Sequence, residues 1–392
     1  MVAAGLLFGG AVVFFRGTDT TSACQPDPLG WNGPGGGAAH TGSSGAPARA
    51  HGVSWAPDWI TATPATDTDR LTAPPAAASG AVYSVSADGD LVALGEGDGH
   101  ELWRSAADAA GAGAGTVPVG LDGCAALVVT RTGSGGAVRA VSLDAHRQEW
   151  LRASAEPIAG GAAVDAHTAY VGVTGSTTAS GPTRAVVGLA LADGGTRIER
   201  ALGTSAAGSP AVGGGRVYAT SVDGTLVALS VDPATQSTSQ LWSLSLGGAA
   251  AAGPVETADG VLAATTGGSL ALVDADGRLR WRANAGGPVE VPPVRGHTLI
   301  AAGSRDGRIT ALSSDGAVRW TRELHAVVTG LAVAGDDVVV ATQDGVLRVL
   351  DPAGGADISS WHAGAALVGA PALSGGRVLV VTADGRLAAL PL

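Results

Sequence analysis

Residues able to do chemistry are sparse in this 392-residue sequence, and their spacing is more telling than their number. Its two cysteines, Cys24 and Cys124, are a hundred positions apart and too few for a multi-cysteine zinc site. The histidines fall singly: His167 and His297 each precede an apolar run, where an exposed turn histidine is expected. Arg305-Asp306-Gly307-Arg308 and Asp336-Asp337 read as solvated turns. No cluster offers the six to eight oxygen ligands that Ca²⁺ takes, and asparagine occurs only as Asn32 and Asn284. No catalytic, cofactor-binding or metal-binding residue is therefore assigned. What remains suits recognition: Trp59, Arg104, Arg152, Arg282, Glu290, Arg305, Arg322, His325 and His362. Mutual placement of these residues depends on the elements that carry them.

Those elements repeat. A β-rich run, an Asp-Gly turn, a second run ending in Ala-Leu and then a Trp recur along most of the chain, as in Val217–Leu229, Val338–Leu350 and Val380–Leu390. Asp88-Gly89, Asp223-Gly224, Asp306-Gly307, Asp344-Gly345 and Asp384-Gly385 are hairpin turns, in which Gly accepts a positive φ. From Gly224 the steps to Gly268, Gly307, Gly345 and Gly385 are 44, 39, 38 and 40 residues, and the gap back to Gly89 leaves room for degenerate turns near Gly135 and Gly181. A period near 40 predicts an all-β fold, an eight-bladed β-propeller of four-stranded antiparallel blades. Short runs of small residues, often with Pro, are expected as the innermost strands: 72–75, 117–119, 158–161, 209–212, 253–255, 291–294, 329–333 and 369–373. The fourth strand carries the tryptophan: Trp103, Trp150, Trp242, Trp281, Trp320 and Trp361, with Ile198 in the third blade. The eighth unit stops at Leu392 after three strands, so Val53-Ser54-Trp55 is expected to close the ring as an N-terminal strand and remove a sheet edge.

Residues 1–16 are apolar or Gly as far as Phe15 and end at Arg16, which suggests a remnant of a membrane anchor or signal segment. Residues 17–52 are Gly/Pro/Ser/Ala-rich and read as a flexible stalk, leaving 53–392 for the propeller. An extracytoplasmic, membrane-tethered or secreted placement follows, and there Cys24 and Cys124 could form a disulfide. Every basic residue is Arg, amid abundant Ala, Gly and Val, as expected of a GC-rich bacterial genome. A net charge of −11 without clustered basic residues argues against a nucleic-acid partner. One chain closing one ring implies a monomer.

The order Ala-(five residues)-Gly-(three residues)-Trp, seen as Ala93…Gly99…Trp103 and Ala271…Gly277…Trp281, resembles the tryptophan-docking repeat of the quinoprotein (PQQ-type) propellers. Trp31-Asn32-Gly33…Thr41-Gly42 is similar to the segment that often precedes the first blade in that family. The resemblance implies that each Trp, Trp55 included, locks adjacent blades. Departures are His146 at a Gly position, a stretched fourth unit, a sixth unit one residue short and Val349 for Ala. The family holds both PQQ-dependent alcohol dehydrogenases and the non-enzymatic outer-membrane assembly lipoprotein BamB. Its dehydrogenases cover PQQ with an adjacent Cys-Cys disulfide, hold Ca²⁺ with Glu, Asn and Asp, and carry long insertions, none of which this chain matches. The BamB-like branch is therefore favoured, with no cofactor and no enzymatic activity. The chain is expected to be a scaffold or ligand-sensing propeller at the cell envelope, binding a protein partner or envelope ligand. Its binding surface would be the loop face that bears the Asp-Gly turns and the segment 56–70 with Trp59. A PQQ- or metal-dependent oxidoreductase is the alternative, and a receptor's sensor domain, as in actinobacterial serine/threonine kinases, is a variant of the first reading.

Overall fold

The computed structural model describes residues 43–44, 55–108, 120–121, 124–131, 135–165, 167–174, 184–232 and 237–392. The anchor remnant, most of the stalk, Val53-Ser54 and Cys24 lie outside them. Of the cysteine pair, Cys124 is described and exposed.

Alternating apolar runs and Asp-Gly turns build eight antiparallel meanders. The first blade comprises Ala76–Ala78, Ala81–Val85, Leu91–Gly95 and Glu101–Ser105, from inner to outer strand. The second blade runs from Gly120–Leu121 to Gln148–Ser154, the third from Ala163–Val164 to Thr196–Ala201, and the fourth from Ala211–Gly213 to Thr238–Ser245. The fifth runs from Val255–Thr257 to Leu279–Asn284, the sixth from Val294–Arg295 to Val318–Glu323, and the seventh from Val328–Ala334 to Asp357–His362. Leu367–Ser374, Arg377–Thr382 and Leu387–Pro391 form the eighth, and the strand Trp59–Ile60 completes it. No helix occurs among the described residues.

The middle strands are packed between neighbouring blades on both faces, so Ala81–Val85 and Leu299–Gly303 are buried at every position. Strands of this kind read as unbroken apolar runs, whereas the outer strands alternate with solvent, as Leu279–Asn284 does. Inner strands approach so closely that a Cβ on Gly330 would lie 2.2 Å from Ala370 Cα, which is why small residues gather there.

The ring closes four residues later than the sequence suggests. Trp59 pairs with Ala389 and Ile60 with Ala388, while Trp55 is off the sheet. Backbone N–H groups of Asp58 and Thr61 donate to Ala389 O and Leu387 O at 2.8 and 2.9 Å, so 58–61 can satisfy the edge of the last strand. The inner ladders also begin after the proline runs in most blades: Pro has no N–H to donate, so pairing resumes at Ala76, Ala211, Val255 and Val294. Within the expected stalk, Ser43–Ser44 runs parallel to Val333 and Ala334 on the inner edge of the seventh blade, where an inner strand leaves backbone groups open.

Candidate functional site

The blade seams place most of the residues singled out by the sequence. At five seams an indole N–H donates to a carbonyl of the next blade: Trp59 to Glu96 (3.0 Å), Trp150 to Leu191 (2.6 Å), Trp242 to Ala275 (2.9 Å), Trp281 to Ser314 (2.9 Å) and Trp320 to Pro352 (2.8 Å). Each ring lies on a glycine of that blade, Gly99, Gly194, Gly277, Gly316 and Gly355 respectively. Gly316 has φ +86°, and a Cβ there would sit 2.5 Å from the Trp281 ring, so conformation and space both require glycine. At the seam between the first and second blades His146, itself at φ 53°, stacks on Trp103 with centroids 4.5 Å apart.

Three tryptophan assignments change. Trp59, expected on a recognition loop, is half-buried at the indole position of the eighth blade, because its register opposite Ala389 matches that of Trp103 opposite Ala93. Trp361 stands two residues beyond the equivalent position in the seventh blade, where Ser359 pairs with Val349. Trp55 sits beside the eighth blade instead of in its closing strand. Buried to 8% exposure, it donates its indole N–H to Pro391 O at 2.7 Å, one residue short of the acceptor position used elsewhere.

The candidate arginines divide by the partners they bind. Arg104 is bound by Glu101 (3.1 Å), Asp69 (3.2 Å) and Asp90 (3.6 Å), and the Glu101 hydrogen bond raises its pKa further. Arg152 Nε donates to Gly194 O at 2.8 Å, and Arg322 Nη1 to Gly355 O at 2.6 Å with Asp357 also at 2.6 Å. Arg282 reaches back to Leu246 O at 2.6 Å. Arg104 is held by its own blade and the leg before it, whereas Arg152, Arg282 and Arg322 fasten blades together. Arg139, which no sequence motif singles out, does so most completely. At 1% exposure its guanidinium donates to Gly89 O, Ala106 O and Ser105 O at 2.6, 3.0 and 3.2 Å, and burial lowers its pKa.

Glu290 and Arg305 are brought together, 2.9 Å apart, at the end of the ring that bears the Asp-Gly turns. His325, at φ 57° in the segment that leads from the sixth blade into the seventh, and His362, the last residue of the seventh blade's outer strand, are exposed. Asp-Gly turns are braced by a hydroxyl two residues before the Asp: Ser221 to Asp223, Ser304 to Asp306, Thr342 to Asp344 and Thr382 to Asp384. That Ser/Thr-x-Asp-Gly pattern is visible in the sequence. A cavity of about 280 Å³ lies on the axis, lined from all eight blades and including Pro74, Arg131, Gly160, Ser209, Glu290 and Gly369. Burial lowers the pKa of Arg131, whose guanidinium is partly desolvated there.

The axial lining, mainly Gly, Ala and Pro with one carboxylate, does not fit a Ca²⁺–quinone pair, and no group of three or more His, Cys, Asp or Glu able to hold a metal occurs among the described residues.

The sequence profile of the PQQ-like repeat family described as outer membrane protein assembly factor BamB matches residues 48–237, 230–358 and 305–391. The chain belongs to this family. No curated protein sequence matches it significantly. Among solved structures, BamB from Moraxella catarrhalis is similar, with 21% identity and a TM-score of 0.67 over 87% of this chain and 98% of that one. The computationally designed Ika8 protein matches at 14% identity and a TM-score of 0.68 over 83% and 97%. Quinohemoprotein alcohol dehydrogenase from Comamonas testosteroni matches at 13% identity and 0.69 over 93% and 80%. At these identities the likeness is one of fold, and the PQQ-repeat propeller expected from the sequence is the fold observed.

Proposed function

We propose that this PQQ-repeat propeller is a non-catalytic interaction module of the cell envelope, recognising a protein partner through the end that carries its Asp-Gly turns. Its extracytoplasmic placement, with residues 1–16 as tether and 17–52 as stalk, is part of the same reading. The observation that carries it is the use of the polar side chains: Arg139, Arg152, Arg282 and Arg322 are spent on seams, which makes the ring a rigid support. Exposed groups then remain at one end, Glu290, Arg305, His325 and His362, above a channel too poor in ligating atoms for cofactor chemistry. Rigid scaffolds present recognition on such turns, and an interface of ordinary size needs only about 800 Å² from each partner. The family's description as an assembly factor supports an interaction role. An oxidoreductase role has support only in a shared fold.

A photo-crosslinking amino acid at Arg305 or His362 should give a discrete protein adduct in the source cells, and the same probe at exposed His297, in an inner-to-second-strand turn at the other end, should not. Equal adducts from both ends, or none from either, would contradict the reading.

A further inference from the structure

One seam departs from the rest. At the indole position of the third blade stands Ile198, paired with Gly188, and the sequence of the fourth blade from Leu229 to Ser237 contains no glycine. A side chain smaller than indole leaves space, and a cavity of about 430 Å³ opens there, within the roughly 300–1,000 Å³ range of small-molecule sites. Its walls are Ile198 of the third blade and Val212, Val217 and Val231 of the fourth, with the backbone of Gly213-Gly214-Gly215 as a flat side. Polar groups stand around this apolar slot. Asp165 is fixed by Tyr170 Oη, which donates to it at 2.7 Å, and by the backbone N–H groups of His167 and Thr168 at 2.9 and 2.8 Å. Burial raises the Tyr170 pKa, so the phenol keeps the proton it donates. Arg216 and Asp232 complete the lining.

The other seams identify what such a slot holds. Five carry an indole on glycine with its N–H on a carbonyl. The seventh blade, whose own residue is Ser359, has an indole delivered from outside the meander, because Trp55 comes from the leg before the first blade and bonds Pro391. The ring thus already accepts an indole that no blade strand provides.

We infer that the seam between the third and fourth blades is a binding site for a free, small, planar aromatic molecule of about indole size that carries a ring N–H donor. The ring would lie between Ile198 and the Gly213–Gly215 backbone, with its donor toward the carboxylate of Asp165 or Asp232. This site is distant in kind from the axial end invoked above and stands whether or not that end binds a protein.

Indole itself is the probe, titrated into the full chain by calorimetry, with NMR of methyl-labelled protein as the positional readout. Saturable 1:1 binding is expected, with contacts from ring protons to the Ile198 and Val217 methyls. Ile198→Trp should weaken binding by about tenfold or more and raise the melting temperature, since it supplies the residue used in most other blades. Absence of saturable binding, contacts to other methyls only, or full binding by Ile198→Trp would overturn the inference. So would tighter binding of N-acetyl-tryptophanamide than of indole, which would make the occupant peptide-borne. If Ile198→Trp does not fold, the methyl contacts of the wild-type protein decide.

Discussion

Trp59→Ala should destabilise the ring far more than an exposed outer-strand substitution. The indole is half-buried on Gly99, its N–H reaches Glu96 O at 3.0 Å, and among the described residues its strand alone pairs with the outer edge of Leu387–Pro391. A tryptophan buries about 150–250 Å², and losing the lower figure at about 25 cal/mol per Å² costs roughly 3–4 kcal/mol. The inter-blade hydrogen bond adds about 1 kcal/mol, bringing the total to about 4–5 kcal/mol. An unfolding entropy of about 2.1 cal/mol/K per residue gives roughly 0.7 kcal/mol/K for a ring of this size, so Tm should fall by about 6 °C. Calorimetry or circular dichroism melting against Leu102→Ala, at a side chain 57% exposed, reads the difference. The Leu102 variant should move Tm by less than about 1 °C. A Trp59→Ala shift equally small would refute the claim that the N-terminal strand locks the eighth blade to the first.

Arg139→Met should cost about 3 kcal/mol or more in chemical denaturation, because the carbonyls of Gly89, Ser105 and Ala106 lose a charged donor in a buried seam. A change below about 1 kcal/mol would exclude that role. Gly316→Ala should destabilise by about 1–3 kcal/mol through its positive φ and the overlap with Trp281, and Trp fluorescence should report the displaced ring. Burial raises the Glu256 pKa above its ordinary 4.5. The folded state therefore holds that proton more tightly than the unfolded state, and stability falls as pH rises from about 4.5 through the folded value. Glu256→Gln should match the wild type below pH 4.5 and exceed it at neutral pH. A gap that does not vary with pH would oppose this.

Hairpins and blade count were legible because Asp-Gly turns and doubly buried middle strands leave local signatures, a positive-φ glycine and an unbroken apolar run. Inner-strand bounds were less so: proline marks where the chain turns inward, but pairing needs an N–H and starts beyond it, as at Ala76 and Val255. Trp55 and Trp59 lie four residues apart, and only pairing with Ala389 decides which of them closes the ring. The spacing Gly355-(three residues)-Ser359 does mark the vacant indole position in the seventh blade, yet the nearby Trp361 conceals it. The candidate arginines looked available because a sequence does not show carbonyls converging across a seam. The same is true of the slot at Ile198, whose other walls, Val212, Val217 and Val231, come from the next blade.

Spectrophotometric titration of the purified chain with PQQ and Ca²⁺, followed by addition of alcohols or sugars with an artificial electron acceptor, tests the non-catalytic reading most directly. The account predicts no saturable quinone absorbance and no substrate-dependent reduction, since the axial lining offers one carboxylate among small apolar residues. Stoichiometric quinone binding with turnover would contradict it.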